Sequence, residues 1–144
     1  MKRTWILVTV AVLLFARLVS VMLFSEPVRP RLEYYSEDSN YITAAGTVSH
    51  IAYGDDREYV YLAFEEIPDR FEDTSFKIEG ENLRILLENG FADKVTLGAA
   101  VEYVSAPRIF WDGYSMPVVA LSVDGEPLLT FEEGKANLLE MIRN

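Results

Sequence analysis

Cysteine is absent from this chain of 144 residues, and histidine occurs once, at His50. Disulfides, zinc-thiolate sites, iron–sulfur clusters and a cysteine nucleophile are therefore excluded. A Ser/His/Asp triad would have to use His50, and neither G-x-S-x-G nor S-x-x-K occurs to supply its serine. Glycine patterns that cradle phosphate are missing as well. So is a D-x-D-x-D-G loop, in which calcium would find converging oxygens; Gly54 precedes its acids instead of dividing them. These gaps point away from an enzyme, and neither a cofactor nor a metal is expected.

Positive charge is scarce: 13 basic residues stand against 23 acidic ones. Every acid follows Phe24, with ten of the basic residues, so that portion carries a net charge of −13. A surface this acidic repels phosphate backbones and favours solubility and basic partners, which argues against nucleic acid. The acids gather at Asp55-Asp56-Glu58, Glu65-Glu66, Asp69 and Glu72-Asp73. Solvated loop faces are the plain explanation of such clusters.

One long apolar run stands out, from Trp5 to Phe24, with Arg17 its sole charge. Twenty helical residues rise about 30 Å, the thickness of a bilayer core. No small-x-small cleavage site follows, since Leu18-Val19-Ser20 and Leu23-Phe24-Ser25 both place leucine where a small residue is needed. Residues 1–26 are thus expected to be a transmembrane anchor or uncleaved signal, meeting the membrane through residues 5–24, with Arg17 snorkelling toward an interface. Lys2 and Arg3 favour an N-terminus inside and a C-terminal domain outside the cytoplasm, single-pass in the cell membrane, where another envelope protein is a candidate partner. Arg29 and Arg31 weigh against that orientation. Pro27 and Pro30 suggest a stiff, extended stalk, making residues 27–40 a linker and residues 41–144 the domain.

Within the domain, residues 42–53 and 58–65 read as a hairpin, with Val60, Leu62 and Phe64 on one face. A short strand from Ser75 to Ile78 follows. GENLRILLENG then sets Leu83, Leu86 and Leu87 at helical spacing before Gly90. Val95–Val104 and Met116–Val123 are strand-like, and Asp124-Gly125 makes a tight reversal toward Leu128-Leu129. The terminal helix opens on Thr130 and Glu133, a capping-box pattern, and stripes Phe131, Leu138, Leu139 and Ile142. Interior glycines at Gly46 and Gly98 suit strands that must bend.

This order, with a helix between the third and fourth strands, resembles the OB-fold, a small Greek-key barrel, over residues 42–123. The resemblance implies a mainly β fold with two short helices: an OB-like curled five-stranded barrel preceded by an N-terminal transmembrane helix. A split β-sandwich or a curled sheet with helices would give a similar pattern. Membrane-tethered haem chaperones are similar in layout, but they attach haem through a histidine in a C-terminal segment, where this chain has none.

RIFWDGYSMPVV, residues 108–119, crowds one arginine and three aromatics around an Asp-Gly turn. In an OB-like barrel this hairpin forms a rim of the binding face, making Arg108, Phe110, Trp111 and Tyr114 the candidate binding residues. Stacked bases gain about 1–3 kcal/mol each, but a cationic groove is also needed, and Arg108 is the only base within ten residues of Trp111. The aromatics could equally pair across strands and cover the barrel end. The expected function is a membrane-anchored, extracytoplasmic, non-catalytic binding or scaffold domain for protein partners. A carbohydrate- or peptidoglycan-binding module using the 108–117 hairpin is the alternative, and an OB-like nucleic-acid binder the second.

Overall fold

The structure, a computed structural model, describes residues 2–24, 28–71, 74–110 and 116–144, with the side chains of the first helix described over residues 6–20. Its elements are α1 (Lys2–Phe24), α2 (Val28–Ser36), β1 (Ile42–Tyr53), β2 (Tyr59–Phe64), β3 (Phe76–Glu79), α3 (Gly80–Glu88) and α4 (Phe91–Lys94). They continue with β4 (Ala100–Ser105), β5 (Met116–Val123), β6 (Glu126–Leu129) and α5 (Phe131–Arg143).

Strands pair in the order β3-β2-β1-β4-β5-β6, antiparallel throughout, and a parallel contact of Phe76 with Met116 and Lys77 with Pro117 joins β3 to β5. That contact closes β1 to β5 into a five-stranded mixed barrel, with β6 appended to β5. Strand β1 serves both halves. Its residues 42–47 pair with β4, and from Val48 onward it pairs with β2, with an irregularity between Val48 and His50. The bend brings Gly46 so near Phe64 that a Cβ there would lie 3.1 Å from the ring.

Alternation on β2 turns Val60, Leu62 and Phe64 inward, as their spacing predicts. Inside the barrel, Phe64 and Tyr103 stack at 4.1 Å, with Phe76 edge-on to Phe64, Phe71 and Tyr103. Helix α3 adds Leu83 and Leu86 to this core. A second cluster lies outside β4 and β5, where Tyr35 of α2 and Leu138 of α5 pack with Ala106 and Val119. One flank of the barrel is thus covered by α2 and α5.

Several expectations are corrected. Among the described residues no helix is long and apolar enough to cross a membrane. This finding overturns the N-terminal transmembrane helix, and with it the single-pass membrane placement. Five α-helices are present among the described residues, where two short helices and the N-terminal helix were expected. Residues 28–36 form α2 instead of an extended stalk, because Pro30 falls in the first turn, where its missing N–H has no helical partner to lose. The expected strand from Val95 starts only at Ala100, after α4 and a turn at Gly98 with φ of 84°. The Asp124-Gly125 reversal is present, with φ of 51° and 78°, the left-handed pair a tight hairpin needs.

Candidate binding face and groove

The described half of the 108–117 hairpin turns toward α2. Phe110 meets Tyr34 edge-on at 5.7 Å and lies 6.2 Å from Tyr35. The Tyr34 hydroxyl donates to the Pro107 carbonyl at 2.6 Å, tying the helix to the loop. Phe110 thereby helps hold α2 on the barrel, and Arg108 is half-buried beside it in sequence. Trp111 and Tyr114 lie outside the described residues.

The outer face of β1, β2 and β3 is only part-buried: Tyr59, Tyr61 and Lys77 are half-buried and His50 is exposed. Tyr59 and Tyr61 project from β2 onto it, their rings edge-on at 5.3 Å. Tyr61 stands between Ala52 and Lys77 across the strands, and Tyr59 opposite Glu79. The Lys77 ammonium lies 5.0 Å over the Tyr59 ring while pairing with Glu79 at 2.6 Å. Arg57, in the turn after β1, lies 5.6 Å over Tyr53. His50 is exposed on β1, opposite Ala63. Among the described residues no three His, Asp or Glu side chains gather where they could hold a metal ion.

This face runs into a groove of about 560 Å³ between the β2–β3 end of the barrel and helices α3 and α5. Its apolar surface comes from Tyr59, Leu83, Leu87 and Met141, and its rim from Arg57, Glu58, Glu79 and Arg84. Leu83 is buried, but Leu87 is 36% and Met141 40% exposed, a high value for large apolar side chains beside a helix pair. Arg84 is held on its own helix: its Nε donates to Glu81 at 2.9 Å, and it also pairs with Glu88. The same hydrogen bonding holds the Glu81 carboxyl below its ordinary range.

A cleft of about 370 Å³ adjoins the groove and shares Glu79, Gly80 and Met141 with it. Glu81 and Glu140 add carboxylates to Glu79 there. Beneath them, the Asn82 amide donates to the Gly134 carbonyl at 3.0 Å and accepts from Asn137 at 2.9 Å, linking α3 to α5. Gly80, with φ of 59°, turns β3 directly into α3 and leaves backbone at the junction.

No family model, curated protein or solved structure matches the chain. The geometry alone carries any functional assignment.

Leu87 and Met141 are not among the candidates the sequence singles out. GENLRILLENG presents three leucines at core spacing, and α3 buries only Leu83 and Leu86. Met141 falls off the Phe131, Leu138, Leu139, Ile142 stripe, and that displacement is the one signal that could have flagged it.

Proposed function

We propose that this protein is a non-catalytic binding domain that takes a side chain of a protein partner into the groove between β2–β3 and helices α3 and α5. The observation that carries this is the pair Leu87 and Met141, two large apolar side chains left part-exposed around a concave surface. Apolar side chains exposed together at a concave, polar-rimmed site favour burial against another molecule. Tyr59 and Tyr61 extend the surface with rigid aromatic area, which orders on binding at low entropy cost. The parallel β3–β5 closure and the helix between β3 and β4 support an OB-like reading of the barrel, whose binding surfaces occupy an outer strand face.

Site-specific photo-crosslinking in the producing cell tests this. A photoreactive residue at Leu87 or Met141 should form an adduct with one defined protein. The same residue at Thr43, on the exposed side of β1, should not. The captured protein, purified, should bind the full chain and lose affinity at least tenfold to Leu87→Asp. A Leu87→Asp variant that binds as well as the parent would sink the proposal, as would adducts equally abundant at Thr43. An adduct at Leu87 with glycan instead of protein would transfer the face to carbohydrate binding.

A further inference from the structure

The groove and the acidic cleft form one continuous surface whose halves differ in chemistry. The groove half offers Tyr59, Leu87 and Met141. Its two cations are already engaged, Arg84 by Glu81 and Glu88 and Arg57 against the Tyr53 ring. The cleft half has three carboxylates, Glu79, Glu81 and Glu140, and no basic residue among those that line it. Lys77 compensates Glu79 and Arg84 compensates Glu81, whereas Glu140 has no ion pair among the described residues. The Asn82 and Asn137 amides bond to each other and to the Gly134 carbonyl, so the pair does not neutralise the cleft.

We infer that the occupant is a basic peptide segment of the partner, with an apolar side chain in the groove and a neighbouring lysine or arginine in the cleft against Glu140. This rests on the protein-binding reading above and specifies its ligand. Cavities that share Glu79, Gly80 and Met141 suit adjacent side chains of one chain. The net charge of −10 draws a cationic segment toward the whole molecule, and the cleft gives that attraction a place to act. An acidic segment would meet uncompensated carboxylate instead, so the surface also selects against the wrong charge.

Fluorescence anisotropy with three labelled octapeptides tests this on the full chain: alternating leucine and lysine, alternating leucine and glutamate, and alternating glycine and lysine. The leucine–lysine peptide should bind at least ten times more tightly than either other, with affinity falling as salt rises. Glu140→Lys should weaken it at least tenfold. Glu102→Lys, which changes net charge equally on β4 away from the groove lining, should weaken it less than threefold. Equal effects of the two reversals would overturn the inference, because net charge alone would then explain binding. Equal affinity for the leucine–glutamate or glycine–lysine peptide would overturn it too. If no peptide binds while crosslinking at Leu87 still captures a protein, the basic segment is refuted and the protein-binding reading survives. Failure of both experiments removes both.

Discussion

Tyr103 is fully buried, and its hydroxyl finds no hydrogen-bond partner among the described residues. Burial pushes its pKa up to about 12. An unsatisfied buried hydroxyl costs about 1–3 kcal/mol, whereas the ring's stacking on Phe64 survives its removal. Tyr103→Phe should therefore raise stability by about 1 kcal/mol, seen as a higher urea midpoint at unchanged slope. A lower midpoint would show that the hydroxyl is satisfied after all. Gly134 is the opposite case. A Cβ there would sit 1.9 Å from the Val119 carbonyl oxygen, so α5 lies on β5 at a distance only glycine permits. Alanine gains about 1 kcal/mol in helix propensity. Overpacking costs up to about 3 kcal/mol, and backbone cannot swing aside as a side chain can. Gly134→Ala should lower stability by about 2 kcal/mol in the same denaturation assay.

Helix α2 is nine residues long and would be marginal alone, so its contacts must hold it. Tyr35 is buried between α5 and the barrel, the Tyr41 hydroxyl donates to the Tyr35 carbonyl at 2.8 Å, and Lys135 donates to the Ser36 carbonyl at 2.6 Å. Emptying a buried aromatic site costs about 3–5 kcal/mol, but here the loss should stay local, because the main core lies inside the barrel. Tyr35→Ala is expected to deprotect the amides of α2 in hydrogen exchange while β1 to β5 keep theirs. Uniform loss of protection would make α2 part of the barrel's cooperative unit. Helix α1 contrasts with α2: Ile6, Leu7, Leu13, Leu14 and Phe15 are all exposed on it.

Three tyrosines set the alkaline limit of the whole molecule. Burial raises the pKa of Tyr34, opposed in part by Arg70, and raises Tyr41 and Tyr103 further, Tyr41 with added repulsion from Tyr35, Tyr34 and Asp38. Free tyrosine titrates near about pH 10, so above that pH the unfolded chain releases protons that the folded chain retains. Their contribution to stability is present in full below about pH 10 and is lost as pH rises through their raised folded values, about 12 for Tyr103. Absorbance at 295 nm followed with circular dichroism should show the last tyrosines ionising only as the fold is lost. Full ionisation of all eight tyrosines near pH 10 with the fold intact would contradict this.

Much of the barrel was legible because it depends on local pattern. Val60, Leu62 and Phe64 alternate, Met116–Val123 is a β-branched run, and Asp124-Gly125 can adopt positive φ, so β2, β5 and the last hairpin could be read directly. Helix was misjudged where chain-distant contacts decide. Residues 28–36 look like a stalk until Tyr35 meets Leu138, and Phe91 starts α4 because the core takes its ring. The candidate site was not legible at all. Leu87 resembles its buried neighbours Leu83 and Leu86 in sequence. By itself the amino-acid order determined composition, charge, strand alternation and turn positions, since these arise within a few residues. Which apolar side chains remain uncovered was decided by the tertiary structure alone, because exposure is set by what elements distant in the chain bring against each surface.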